Sequence, residues 1–181
     1  MELRNKRPAP FESVLDIATG SGVIVLSLLA HDFAKTGIGS DISPEALKVA
    51  ATNARRLRLN VEFSESDRFS KISGKFDVIV SNPPYIKTGS HRPGVHQSVD
   101  RHEPHIALFI PDADYDQWFR MFFQGVSDHL LPDGIFAMEG HEKELEQQAQ
   151  LLRELGFKSV SVEKDLAGIS RYLMAKKEAS S

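Results

Sequence analysis

The stretch Val14-Leu-Asp-Ile-Ala-Thr-Gly-Ser-Gly22, followed by the apolar run Val23-Ile-Val-Leu-Ser-Leu-Leu-Ala30, decides how the rest of the chain is read. A short apolar run that stops at a glycine turn and resumes as a longer apolar segment reads as strand, tight turn and buried helix. Glycines at such a turn let a ligand approach backbone that side chains would otherwise block. The turn alone is a weak signal, and a strand-to-helix corner that binds nothing is the lesser alternative. A dinucleotide-binding turn needs a further glycine three residues on for close helix packing, and Val25 stands there, which argues against a nicotinamide cofactor.

Outward from this stretch the pattern repeats. Thr36 to Asp41 reads as the second strand, and Ser43 caps a helix that has Pro44 in its first turn and continues through Leu47, Val49, Ala50 and Ala54 to about Leu57. Val61 to Glu65 alternates as a strand and Phe76 to Val80 is a buried one. Only a short polar link, Asp67 to Gly74, separates them, so the intervening helix is short or absent. From Asn82 to Asp112 neither period persists, and prolines at 83, 84, 93, 104 and 111 break the run; loops this long in compact domains are usually functional. A helix is expected from about Tyr115 to Leu131, a turn at Pro132-Asp-Gly134, a strand from Ile135 to Glu139 and a helix from about Glu142 to Leu155. The last strands fall near Val160 to Glu163 and Tyr172 to Ala175. Alternating strands and helices imply a doubly wound α/β sheet with ligands at the carboxyl ends of its strands. The six residues Lys164 to Ile169 are too few for the crossover between parallel neighbours, so one strand close to the chain end should run antiparallel.

With 181 residues, 41% of them hydrophobic, the chain closes one core and is expected to be a single domain. There is no cysteine, which excludes disulfides, thiolate metal sites and a cysteine nucleophile. Arg4, Lys6 and Arg7 are followed by no apolar stretch, and no run of 18 apolar residues occurs, so neither a secretory signal nor a membrane span is read and the expected location is cytoplasmic. The net charge of −3 and the lack of a long basic block weigh against nucleic acid as a partner.

Candidate binding residues recur at successive strand ends. Asp41 closes the second strand, where a carboxylate can accept from both hydroxyls of a ribose. Asp67, in Ser66-Asp-Arg-Phe69, can accept from an exocyclic adenine amine while Phe69 or Ile42 flanks the ring. Together with the glycine turn these describe a cleft for an adenosyl group. The sharpest signal is Asn82-Pro-Pro-Tyr85, directly after the fourth strand. Two prolines stiffen the backbone and leave carbonyls free to accept. The Asn82 side-chain oxygen and a carbonyl from the Pro83 region can take both hydrogens of a planar NH2 group, and the Tyr85 ring can lie against it, so that the nitrogen is aimed at a methyl donor.

On these residues the chain resembles N-methyltransferases acting on planar amines and amides, most closely the HemK/PrmC-type methyltransferases that modify the glutamine of the Gly-Gly-Gln motif in peptide release factors. Three further segments resemble that family: Arg101-His-Glu-Pro104, Leu131-Pro-Asp-Gly-Ile-Phe-Ala-Met-Glu139 and Asp165-Leu-Ala-Gly-Ile-Ser-Arg171. The resemblance implies a Rossmann-like, seven-stranded class I methyltransferase sheet, mostly parallel, with one antiparallel strand near the C-terminus. It implies S-adenosyl-L-methionine bound by Asp16, Ala18, Thr19, Gly20, Ser21, Gly22, Asp41, Ile42, Asp67, Arg68, Phe69 and Asn82, with the catalytic residues Asn82, Pro83, Pro84 and Tyr85 holding the glutamine amide. Residues 82–113 would face the substrate, with Arg101 and Glu103 as substrate contacts. Glu139 and Arg171 read as charges paired around the end of the sheet. Family members usually carry glycine at the position of Ala18 and an aromatic or apolar residue at that of Arg68. They generally also carry an N-terminal helical domain that grips the release factor; here 13 residues precede the first strand, as in a catalytic fragment, a minimal homologue or a chain that borrows a partner subunit. The alternative readings are methylation of an RNA or DNA base, at adenine N6 or guanine N2, and an inactive adenosyl-binding module. His91, His96, His102 and His105 with Asp100 and Glu103 offer no helical i, i+4 ligand pair, and no metal is expected.

Overall fold

The computed structural model describes residues 9–91 and 108–178. In chain order the elements are β1 (Phe11–Ile17), α1 (Val23–Ala30), β2 (Ala34–Asp41), α2 (Pro44–Leu57), β3 (Glu62–Glu65), β4 (Phe76–Ser81), β5 (Ile86–Lys87), β6 (Phe109–Ile110), α3 (Tyr115–His129), β7 (Leu130–Glu139), α4 (Leu145–Glu154), β8 (Ser159–Lys164) and β9 (Ser170–Lys176). Seven strands form one sheet in the order β3-β2-β1-β4-β7-β9-β8. All neighbours are parallel except those of β9, which runs antiparallel to both β7 and β8. The reversed strand follows from the short β8–β9 connection, as its length requires.

The order reverses between β1 and β4. The chain moves from β1 outward to β2 and β3, then returns to place β4 on the other side of β1. Such a switch point opens a crevice at the carboxyl ends of the strands. Register makes the crevice specific: Ile17 pairs with Ser40 on one side and with Ser81 on the other, and the Ser81 hydroxyl donates to the Ile17 carbonyl at 2.7 Å. The turn after β1, the end of β2 and the Asn82 segment therefore leave the sheet side by side.

One face of the sheet packs α1 through Val14, Val25, Leu26 and Val78. The other carries a larger cluster in which Phe119, Phe122, Phe123 and Phe136 are all buried. Each fully buried phenylalanine of this kind contributes about 1.5–3 kcal/mol by removal from water. Their rings meet tilted or edge-on, with centroids 5.6–6.4 Å apart.

Four local expectations are corrected. The Pro132-Asp-Gly134 turn lies inside β7: pairing with β4 slips from Phe76↔Leu130 to Val78↔Ile135, and Asp133, at φ 62°, donates its amide to the Lys177 carbonyl. The strand partner thus absorbs the turn as a bulge. Helix α3 ends at His129, and α4 starts at Leu145 rather than Glu142 because a turn at His141 to Glu144 precedes it. Residues 86–87 and 109–110, within the segment expected to lack strands, pair in parallel as a separate two-stranded sheet. Between β3 and β4 there is a turn and no helix, as the short link implied.

Candidate active site at the carboxyl edge of the sheet

Gly22 caps α1 in the left-handed conformation, φ 81°, and a Cβ there would come within 3.1 Å of Ala50 on α2. Its role is to let the two helices approach. Gly20, also left-handed at φ 56°, has open space where a Cβ would point, so the turn leaves a cradle. Ala18 adopts φ 56° with a side chain, a conformation costly for any residue but glycine. Thr19 and Ser21 are held by backbone and side-chain bonds: the Thr19 amide donates to the Ser40 carbonyl at 2.9 Å, and the Asn53 amide group donates to the Ser21 carbonyl at 3.0 Å. Asn53 was missed at the level of sequence, since an asparagine in mid-helix carries no signal of a contact 32 residues away.

Asp16 lies beneath this turn with no exposed surface. Its Oδ2 accepts from the Thr19 hydroxyl at 2.7 Å and the Val25 amide at 3.2 Å, whereas Oδ1 is buried without a partner. Burial chiefly, with the negative charge of Asp41 adding to it, pushes the Asp16 carboxyl up to about 7. Asp41 accepts from the Gly20 amide through Oδ2 and from the Ser43 amide through Oδ1, both at 2.9 Å, and keeps further lone pairs for a ligand. Asp67 is half exposed and is gripped by Arg68, Nε to Oδ1 at 3.0 Å, while the Arg68 guanidinium sits 5.6 Å from the centre of the Trp118 ring. Arg68 thus orients the carboxylate from outside. Of the two residues expected to flank an adenine ring, Ile42 is 49% exposed beside Asp41. The Phe69 ring is committed to the core, stacked on His129 with centroids 5.0 Å apart and packed over Gly125.

Asn82 is exposed, and neither its side chain nor the carbonyls of Pro83 and Pro84 accept a hydrogen bond from a described residue. Tyr85 is held at both ends. Its hydroxyl donates to Glu139 Oε1 at 2.8 Å, and its carbonyl accepts from the Tyr115 hydroxyl at 3.1 Å. Tyr115 in turn accepts from the Gln148 amide at 3.1 Å. Beside it, Lys87 pairs with Glu144 at 2.8 Å, and Glu144 also meets His91 at 3.1 Å, whose ring stacks on His141 at 3.8 Å. These pairs fasten β5 to the start of α4. Arg101 and Glu103, with Asp100, His96, His102 and His105, lie outside the described residues. Among the described residues no group of three metal-ligating side chains converges. A cleft of about 440 Å³ at the opposite, amino end of β1–β3, lined by Ser13, Thr36, Asn60, Glu62 and Phe76, carries one titratable group and offers no comparable chemistry.

A mostly parallel seven-stranded sheet with one reversed strand near its end, and a polar crevice at its switch point, defines a Rossmann-like methyltransferase. The chain belongs to the methyltransferase small domain family, whose model matches residues 2–102. It is 38% identical over 173 residues to a release factor glutamine methyltransferase of Cereibacter sphaeroides, covering 94% of this chain and 62% of that protein. To the release factor glutamine methyltransferase of Rhodospirillum rubrum it is 36% identical, covering 92% of this chain and 51% of that protein. The chain therefore spans about half to two thirds of the length of these relatives. In fold it is similar to a methyltransferase from Pyrococcus furiosus, with a TM-score of 0.72 at 22% identity over 98% of this chain and 80% of that one. No helix among the described residues is long and apolar enough to cross a membrane.

Proposed function

We propose that this chain is an S-adenosylmethionine-dependent N-methyltransferase acting on the side-chain amide of the glutamine in the Gly-Gly-Gln motif of peptide release factors. The observation that carries the reading is the Asn82 side chain and the Pro83 and Pro84 carbonyls, which no described residue bonds, beside a turn whose cradle opens at Gly20. Relatives named for that activity support it.

The residues fit the donor. S-adenosylmethionine supplies an activated methyl on a positively charged sulfur and carries an ammonium besides. Asp16 lies directly beneath the turn as a countercharge, and Asp41 keeps lone pairs for ribose hydroxyls. Register sets Asp67, Asp41, the turn and Asn82 along four neighbouring strand ends, a line of about 14 Å at the usual strand spacing. An amide nitrogen is a weak nucleophile, so positioning must do most of the catalysis; well-oriented pairs gain roughly 7–11 kcal/mol. Asn82 and the proline carbonyls hold both amide hydrogens and favour the positive charge that grows on nitrogen during transfer. No obligate general base is needed, because the product amide can lose its extra proton to water.

We assign this chemistry to a single domain in the cytoplasm, with residues 82–113 facing the acceptor and Arg101 and Glu103 as contacts. The test is methyl transfer from labelled donor to a release factor and to the same factor with its Gly-Gly-Gln glutamine replaced. Label on the native factor alone is expected. Label that persists on the altered factor, or that appears only on RNA, overturns the substrate.

A further inference from the structure

The two prolines before Tyr85 stiffen its backbone, yet they leave the ring free to turn about its own side-chain bonds. A flat acceptor needs that ring in one orientation, so a second constraint is required beyond the proline turn. The structure supplies one from a distant strand. Met138 pairs with Ser81 across β7 and β4, so Glu139 emerges next to Asn82 and reaches the Tyr85 hydroxyl at 2.8 Å.

Glu139 is itself backed. The Gly140 amide donates to the Arg171 carbonyl at 3.0 Å, fixing the start of β9 against the end of β7. Arg171 Nε lies 3.5 Å from Asp165 Oδ2. Asp165 Oδ1 meanwhile accepts from the amides of Ala167 and Ile169, which closes the β8–β9 hairpin turn. The carboxylate that shapes the hairpin thus also holds the arginine, and the arginine's charge acts on the Tyr85 phenol. Burial first, and then Glu139, raise that phenol well above its ordinary value, so it stays a donor throughout the neutral range.

We infer that Glu139 is a positioning residue for methyl transfer, fixing the Tyr85 ring against the acceptor amide, with the backbone bond from Gly140 to Arg171 holding the end of β7 that carries it. The inference rests on the function proposed above and deepens it. It gives two of the segments that resemble release factor methyltransferases, 131–139 and 165–171, a shared physical purpose: both end on the tyrosine that faces the acceptor.

The test uses the full chain and four variants: Glu139→Ala, Glu139→Gln, Tyr85→Phe and the double variant Tyr85→Phe/Glu139→Ala. With release factor as acceptor, Glu139→Ala is expected to lower kcat about tenfold, as loss of one hydrogen bond to a charged group implies, without changing the Kd of S-adenosylhomocysteine. Glu139→Gln keeps an acceptor oxygen and should recover most of the rate. In the Tyr85→Phe background, Glu139→Ala should cost nothing further. An undiminished tenfold loss in that background overturns the inference, because Glu139 would then act without Tyr85. A second measurement needs no acceptor. In protein with 13C-labelled tyrosine ζ carbons, the Tyr85 signal, identified as the one lost in Tyr85→Phe, should move in Glu139→Gln; an unmoved Tyr85 signal overturns the contact itself. If the wild type transfers no methyl to the release factor, the proposed substrate falls, and the tyrosine signal still decides whether the ring is held.

Discussion

At the scale of single residues the site is governed by groups whose bonding is incomplete. Asp16 is sealed under the glycine turn with one oxygen unsatisfied, and its carboxyl titrates near 7 rather than near 4. In the free protein the unfolded chain loses this proton before the folded one does. Stability should therefore fall as pH rises from about 4 to about 7 and level off above that. A positive charge bound above the turn acts on the sealed carboxylate through space and favours its ionised form. Affinity for S-adenosylmethionine should rise through pH 7 with release of a proton, read by calorimetry in buffers of different ionisation enthalpy; uptake of a proton, or none, would contradict the role given to Asp16. Asn82→Ala should lower kcat by about 10², the scale of losing one preorganised hydrogen-bonding group, while S-adenosylhomocysteine binds almost as before. Normal turnover of the bound variant would remove the side chain from the mechanism. Ala18 carries its Cβ at φ 56°, so Ala18→Gly should stabilise the fold by about 0.5–1 kcal/mol and raise Tm by about 2 °C, with a larger cradle for the donor. A lower Tm would show that the turn has relaxed around the alanine.

At the scale of elements, two short pieces of chain are held by side chains that sequence patterns mark differently. Ser43 accepts from the Ala46 amide at 3.2 Å and starts α2, as a serine before Pro44 announces. Ser43→Ala should destabilise the protein by about 1 kcal/mol, measured by denaturant midpoint at unchanged slope. Asp112 has no such local signature. Its carboxylate accepts from the amides of Gly89 and Ser90, at 2.7 and 3.1 Å, and from the Ser90 hydroxyl, pinning the turn after β5 to the second residue beyond β6. These bonds, led by that from Gly89, hold the Asp112 carboxyl below the usual carboxylate range. Asp112→Ala should speed hydrogen exchange at Gly89 and Ser90 about tenfold while leaving donor affinity unchanged. Unaltered exchange would mean that the β5–β6 pairing alone holds the segment.

For the whole molecule, the sheet joins distant parts of the chain into one edge. The turn at residues 18–22, Asp41, Asp67, Asn82 and Glu139 come from five strand ends, and their relative positions are fixed by register backed by the aromatic core under α3. Phe122 has no exposed surface and meets Trp118, Phe119, Phe123 and Phe136. Phe122→Ala should cost about 3–5 kcal/mol, a large part of the stability of an ordinary domain, and its unfolding midpoint should drop accordingly. A cost under 1 kcal/mol would show that the cluster collapses into the space.

The sequence by itself determined the interactions that close within a few residues. The glycine turn after Ile17, the cap at Ser43, the stiff prolines after Asn82 and the hydrophobic period of each long element are local, so they are written locally. The length of the link from Lys164 to Ile169 was enough to require a reversed strand. Only the tertiary structure decided contacts whose partners lie far along the chain: Tyr85 with Glu139, Ser81 with Ile17, Phe69 with Gly125, and β5 with β6, two residues each. It also decided that Pro132-Asp-Gly134 would be absorbed into β7, because Lys177, just past β9, exchanges backbone hydrogen bonds with Asp133 and Gly134 while β4 pairs on either side of the turn. Strand pairing has no local code strong enough to fix such partners; they are chosen by sheet order and register, which the whole core sets at once.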